Sequence, residues 1–317
     1  MSIKDKKILV TGGCGYVGSV LVNKLLKKEA SVVVFDTQWF GNYLEKNNKL
    51  EIIKDDIRNI DKYNLTEYDK IVHLANIAND PGVELNPSLS WEVNVLASHQ
   101  IMDKIDNSSI DQIVYASSGS VYGVKEEENV TEELSLVPIS IYNKTKMVSE
   151  KVLLSFKDKF KIHCIRPATV CGLSPRMRLD VSVNMLTFQA LKNKVMTIHG
   201  GQQVRPNIHI SDLTNAIIHF LENKNIENGV YNAGFENLSI LDIANRVKEK
   251  VNSEIKILPV NDIRSYRLNS DKLINTGFKK TSSVNDAIDE IVKNFNDGKL
   301  TEKDSYYTVK WMKHLNI

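Results

Sequence analysis

Cysteine is scarce. Cys14, Cys164 and Cys171 are the only three in 317 residues. Three thiols cannot pair completely and their spacing fits no zinc pattern, so neither a disulfide framework nor a metal site is implied. An excess of charge of one sign is also missing. Lys and Arg number 41 against 39 Asp and Glu, a formal net charge of +2, which leaves no broad basic field for nucleic acid. An anionic ligand must be met by a few local groups instead. No apolar run approaches the roughly 18 residues of a membrane span. Only Ile8-Leu-Val10 separates the charged start from Thr11, too short for the core of a signal peptide. The expected setting is therefore cytoplasmic, with no membrane partner. Internal repeats and low-complexity tracts are absent too.

What remains is ordinary globular composition, 42% hydrophobic and 25% charged, in a length of about two domain-sized units. Short apolar runs alternate with helical patterns through the first half. Lys7–Val10, Ser31–Phe35, Leu50–Ile53, Ile71–Ala75, Gln112–Ala116 and Ile162–Ile165 read as strands. Val17–Leu26, a helix near Trp91–Ile105, and Ile141–Leu154 read as helices between them. Alternation of this kind predicts βαβ units, hence a parallel sheet covered on both faces. Right-handed crossovers make it doubly wound. After Arg166-Pro167 a polar loop, Gly172–Asp180, leads into helical patterns at Val183–Lys192, Ser211–Glu222, Ser239–Val251 and Val284–Phe295, with strands at Gly229–Asn232 and Glu254–Leu258. The expected fold is α/β. Residues 1–167 form a Rossmann-type domain, and 168–317 form mainly a smaller, mixed substrate-binding domain, with some segments returning to the sheet.

Thr11-Gly-Gly-Cys-Gly-Tyr-Val-Gly18 lies between the first strand and the first helix. Gly12, Gly15 and Gly18 suit a tight turn whose backbone N–H groups approach a pyrophosphate. Asp36 closes the second strand 18 residues after the last glycine. A carboxylate there takes the ribose hydroxyls and favours NAD over NADP by repelling a 2′-phosphate. Tyr142-Asn-Lys-Thr-Lys146 puts a phenol and an ammonium one helical turn apart. The ammonium is expected to lower the phenol pKa and make Tyr142 an acid/base. Ser118, just past the fifth strand, is placed to hold a substrate oxygen beside that phenol.

These motifs resemble the extended short-chain dehydrogenases/reductases, in the nucleotide-sugar epimerase/dehydratase group. The resemblance runs on through Asp56-Ile57-Arg58, His73-Leu74-Ala75, Asn94-Val95, Ser117–Gly123, Arg166-Pro167, Arg205–Asp212 and Tyr231–Gly234. It implies that Asp56 and Ile57 sit at the adenine. Leu74, Ala75, Asn76 and Asn94 line the cofactor, as do Tyr16 and Val17 in the glycine turn. Tyr142 would be the acid/base, and Lys146 would bind the nicotinamide ribose. Thr169 would lie near the nicotinamide and the sugar, and Arg205 would meet the diphosphate of the sugar nucleotide. Asn184, Arg264 and Arg267 match positions near the nucleotide. Arg176 and Arg178, in Gly172–Asp180, either reach the substrate's phosphates or hydroxyls or form a solvated basic loop. Asn76, Asn79 and Asp80 either contact the sugar or make a turn before Pro81. His73 and His209 read as packing residues. A homodimer is implied through the helix that holds Tyr142 and the long helix before it.

Sugar 4,6-dehydratases of this group carry an Asp-Glu pair directly after the hydroxyl residue. Here Gly119 and Ser120 stand at those positions, so no evident acid eliminates water. The leading expectation is an NAD-dependent epimerase acting by transient oxidation at C4, in bacterial-type surface polysaccharide synthesis. The alternatives are a C4 dehydrogenase or 4-keto-sugar reductase, with a GDP-heptose-like substrate, and a non-catalytic dinucleotide sensor.

Overall fold

The computed structural model describes residues 2–106, 108–259 and 265–317. Its strands are β1 (Lys7–Thr11), β2 (Ser31–Phe35), β3 (Leu50–Ile53), β4 (Lys70–His73), β5 (Gln112–Ala116), β6 (Lys161–Pro167), β7 (Thr169–Cys171), β8 (Val195–His199), β9 (Val204–His209), β10 (Gly229–Ala233), β11 (Glu236–Ser239) and β12 (Glu254–Leu258). The principal helices are α1 (Tyr16–Lys27), α2 (Ala97–Ile105), α3 (Ile141–Leu154), α4 (Ser182–Asn193), α5 (Ile210–Glu222), α6 (Ile240–Lys250), α7 (Val284–Asn296) and α8 (Thr308–His314).

Seven strands form one parallel sheet in the order β10-β6-β5-β4-β1-β2-β3. The order reverses between β1 and β4, the switch point at which open α/β sheets bind ligands. Alternate residues of each strand feed opposite faces. Ile8, Val10, Val32 and Val34 pack with Leu21, Leu25, Ile217 and Phe220 of α1 and α5. Leu9, Val33 and Ile71 pack with Ile101, Met102 and Leu153 of α2 and α3. A third core joins α4, α6 and α7 through Leu186, Leu191, Ile243, Val247 and Ile288. Beside it lie a sheet β11-β9-β7 and a parallel pair β12-β8. This is the Rossmann-type fold the strand–helix alternation predicts.

Two departures shape the site. The helix expected over Trp91–Ile105 is interrupted by a turn of π-helix at Glu92–Leu96. That turn releases the Asn94 carbonyl, which accepts from the Ser149 hydroxyl of α3 at 2.6 Å and from Ser98 at 2.9 Å. The Gly172–Asp180 polar loop, for which the sequence left a substrate contact and a solvated basic loop open, is largely buried. Met177 and Leu179 are 1% exposed and Arg176 is 3% exposed, because the segment packs against the start of α1.

Candidate active site

A cleft of about 790 Å³ opens at the C-terminal ends of β1, β2, β4 and β5. The glycine turn, Asp36, Ser118, Tyr142 and Lys146 line it, together with Thr169, Arg176, Arg178 and Arg205. Gly12 has φ +72°, and a Cβ there would lie 2.6 Å from the Ala75 amide nitrogen. A Cβ on Gly18 would lie 2.3 Å from the Gly12 carbonyl oxygen. The turn therefore admits only glycine at both places, and it lines the cleft.

Asp36 accepts from Cys14 N at 3.0 Å and Gln38 N at 2.7 Å. Burial raises its pKa, while these two amides and the nearby Arg176 guanidinium pull the other way. Asp56 and Ile57 also line the cleft, with Leu74, Ala75, Asn76 and Val17. Asp56 holds Arg58 in a two-toothed pair, at 3.0 Å and 2.9 Å. The buried Asn76 Oδ1 has no hydrogen-bond partner. A glycine cradle, a carboxylate at the strand end and an unpartnered acceptor on the cleft wall fit a dinucleotide.

Three of the expected ligand contacts have other work. Asn94 is buried and does not line the cleft. Its side chain accepts from Ile77 N at 2.8 Å and donates to Ile77 O and Thr145 Oγ1, fixing the loop after β4 against α3. Asn184 is likewise fully buried behind the cleft. Its amide donates to the Tyr16 hydroxyl at 3.0 Å and to Arg178 O at 2.9 Å, and its oxygen accepts from Gly172 N at 3.0 Å. The Tyr16 ring touches the cleft, but its hydroxyl donates to Gly172 O at 2.7 Å. His73 is buried between Thr11 Oγ1 at 2.7 Å and Ser98 Oγ at 3.1 Å, and burial lowers its pKa to about 3. It is a neutral strap between β1 and α2. His209 accepts from Ser211 N at 3.1 Å at the start of α5.

Ser140 caps α3 by accepting from Asn143 N at 3.1 Å, and so presents Tyr142 to the cleft. A hydrogen bond from Ser118 helps the ionised phenol, but burial dominates and pushes the Tyr142 pKa up to about 12. Asp80 raises it further and Arg178 lowers it. The lowering expected from Lys146 is not the deciding influence, because that ammonium points elsewhere. Lys146 donates to Ala116 O at 2.7 Å and Tyr115 Oη at 3.3 Å. Burial lowers its pKa to about 7, opposed by Glu150. Ser120 Oγ stands 2.7 Å from Ser118 Oγ and donates to Asn143 Oδ1 at 2.6 Å.

Arg178, which also lines the cleft, donates from Nε to Asp180 Oδ1 at 2.8 Å. Burial pulls its pKa down, but Asp180 holds it above the usual arginine value. The other Asp180 oxygen accepts from Thr308 N at 2.8 Å, tying the cleft wall to α8. Arg176 is buried with its guanidinium 4.0 Å from the Phe40 ring centroid. Neither arginine belongs to a solvated loop. Arg205 lines the cleft with Nη1 donating to Val204 O at 3.2 Å. Arg267 is exposed away from the cleft, and Arg264 lies outside the described residues. Asn79 makes the turn before Pro81, accepting from Gly82 N at 2.8 Å with φ 66°. Asp80 faces the cleft and accepts from the Ser140 hydroxyl.

Several neighbours escaped the sequence reading. Phe40, Asp180, Tyr307, Thr308, Val309, Lys310 and Met312 all line the cleft, and Trp311 Nε1 donates to Trp39 O at 2.6 Å. Behind α3, Glu150 pairs with Arg166 at 2.9 Å and 2.7 Å and accepts from Ser117. Arg166 also donates to the Tyr122 hydroxyl at 2.7 Å. Glu150 falls one turn after Lys146, a spacing that could have marked it.

Residues 8–234 match the NAD dependent epimerase/dehydratase family. An uncharacterized UDP-glucose epimerase of Bacillus subtilis is 32% identical over 263 residues, 77% of this chain and 81% of that protein. A UDP-glucose 4-epimerase of Lactobacillus helveticus is 28% identical over 269 residues, 76% of this chain and 81% of that protein. Among solved structures, the UDP-glucuronic acid 4-epimerase from Bacillus cereus, in complex with UDP-glucuronic acid and NAD, matches with TM-score 0.78. The identity is 28%, over 90% of this chain and 99% of that one. The UDP-glucose 4-epimerase from Thermotoga maritima, with UDP-glucose, shares the fold with TM-score 0.84 at 24% identity, over 92% of this chain and 99% of that one.

Proposed function

The chain belongs to the NAD dependent epimerase/dehydratase family of nucleotide-sugar enzymes, with NAD as cofactor, and from that premise we propose that it interconverts two epimers of a UDP-sugar by transient oxidation at C4. Bound NAD supplies a hydride acceptor and donor. Tyr142 takes the proton of the sugar hydroxyl and returns it, and Ser118 holds the same oxygen. Lys146 and Asp36 hold the two riboses of the dinucleotide, and Arg205 meets the diphosphate of the sugar nucleotide through its guanidinium fork. The ligand-free phenol, with its pKa near 12, is a poor base at neutral pH. A cationic nicotinamide ring and Arg178 both favour its ionised form.

The observation that carries this reading over dehydration is Ser120. Where a dehydratase of this group supplies a carboxyl, this chain supplies a hydroxyl 2.7 Å from Ser118 Oγ, with no readily given proton for a leaving hydroxide. The UDP-glucose epimerases among the relatives support a UDP-sugar. Surface polysaccharide synthesis is the process proposed for it, and a net C4 oxidation differs only in whether hydride is given back. The test is incubation of the purified protein with UDP- and GDP-sugars, without oxidant or reductant, followed by mass spectrometry and NMR. A stereoisomer of unchanged mass with NAD conserved supports the reading. A product lacking two hydrogens, formed with NADH, contradicts it.

A further inference from the structure

Arg176 is the least reconciled charge in the cleft. It is 3% exposed, its buried Nε has no hydrogen-bond partner, and among the described residues no carboxylate pairs with it. A buried guanidinium cannot shed its proton to escape the cost of burial. Its surroundings show where a compensating anion belongs. Phe40 stacks on it at 4.0 Å, and it acts on the Asp36 carboxylate and on Tyr16, the first residue of α1.

The chain on either side is stapled to the first turn of α1. Ser174 donates to Tyr16 O at 2.7 Å and meets Ser19 Oγ at 2.9 Å, and Tyr16 Oη donates to Gly172 O at 2.7 Å. These bonds hold residue 176 over the N-terminus of α1. The orphan N–H groups and dipole of that helix favour an anion at the same place.

We infer that Arg176 is a clamp on the cofactor's pyrophosphate, reaching across the cleft from the segment after β7 to close the dinucleotide against the glycine turn. The inference rests on the NAD reading above and moves Arg176 from the substrate to the cofactor. Ser182, with a buried, unpartnered hydroxyl that also lines the cleft, extends the polar lining. An enzyme that returns its hydride in every cycle has no need to release the dinucleotide, and a clamp of this kind holds it through turnover.

The test is calorimetric titration of the wild-type chain and of Arg176→Met and Arg176→Lys with NAD, ADP-ribose, NADP, adenosine and UDP, with thermal unfolding as a check on folding. Two charge-assisted hydrogen bonds lost to a phosphate predict a fall of about 10- to 100-fold in affinity for NAD and ADP-ribose in Arg176→Met. Arg176→Lys should fall less, and adenosine and UDP should be unchanged. Where Arg176→Met does not fold, Arg176→Lys decides by the same pattern. Loss of UDP with NAD retained makes Arg176 a substrate residue and overturns the inference. So does loss of NADP alone, which points to a 2′-phosphate, or an equal loss of adenosine. Unchanged NAD binding in a folded variant also overturns it and leaves the cofactor reading standing. A wild-type chain that binds neither NAD nor ADP-ribose overturns both.

Discussion

Glu150→Gln is a small chemical change with a large expected cost. In the native chain Glu150 meets Arg166 through two bonds, 2.9 Å and 2.7 Å, with the two side chains only 3% and 5% exposed. The amide keeps the shape and one acceptor but removes the charge. Arg166 is then buried, ionised and uncompensated beside Tyr122, because a guanidinium does not deprotonate. Breaking a pair of this kind costs about 3–5 kcal/mol. Retention of one hydrogen bond puts the amide near the low end, about 3 kcal/mol. At about 2–4 °C per kcal/mol this lowers Tm by about 6–12 °C. Arg166→Met on the same background removes the stranded charge and should recover most of the loss, since well-packed apolar residues replace buried pairs at little cost. Urea and thermal unfolding of the wild type, both single variants and the double variant give the coupling directly. A Glu150→Gln chain within about 0.5 kcal/mol of wild type, or a double variant as unstable as the sum of the singles, refutes the reasoning. Glu150 is also the main group supporting the charge on Lys146. In Glu150→Gln, the alkaline loss of NAD affinity caused by Lys146 deprotonation should therefore move to lower pH.

Other consequences are as specific. Tyr142→Phe should lose about 10²- to 10⁴-fold in kcat while keeping NAD bound, and full turnover would remove Tyr142 as the acid/base. Gly12→Ala places a Cβ 2.6 Å from Ala75 N at φ +72°, so NAD affinity measured by calorimetry should drop by more than about tenfold. An unchanged Kd in a folded Gly12→Ala chain contradicts the cradle. His73 and His163 have pKa values lowered to about 3 and about 4 by burial. The unfolded chain then binds the extra protons, so their contribution to stability is fully present above pH 6.5. It is lost as pH falls toward those values, by at most about 1.4 kcal/mol per pH unit for each histidine. Urea unfolding between pH 7 and pH 4.5 should show this fall, with His73→Asn flattening it.

The backbone was more legible than the side-chain partnerships. Runs such as Ser31–Phe35 and Gln112–Ala116 coincide with strands because both faces of a parallel sheet are buried. Ile141–Leu154 coincides with α3, which Ser140 caps. The π-turn at Asn94 was not legible, because it depends on the Ser149 hydroxyl from another helix. Asn94 and Asn184 were placed near the ligands by the family resemblance alone. Only the fold reveals that their atoms are already used. The Gly172–Asp180 segment reads from the sequence as either a substrate contact or a solvated loop, and burial removes the second. Its charges are neutralised or stacked by Asp180 and Phe40 rather than by water. Asp180 itself is joined to Thr308 across 128 residues, a contact that local pattern cannot report. Ser118, Tyr142 and Lys146 could be named from spacing, whereas the direction of the Lys146 ammonium, toward Ala116 O, could not.

The most direct test of the central claim is to give the purified protein a UDP-sugar carrying deuterium at C4 and follow the label by NMR and mass spectrometry. Transient oxidation with return of the same hydride predicts a C4 epimer that keeps the deuterium, with a primary isotope effect and no net NADH. An epimer that exchanges its label for solvent hydrogen, or a keto sugar accompanied by deuterated NADH, would contradict the account.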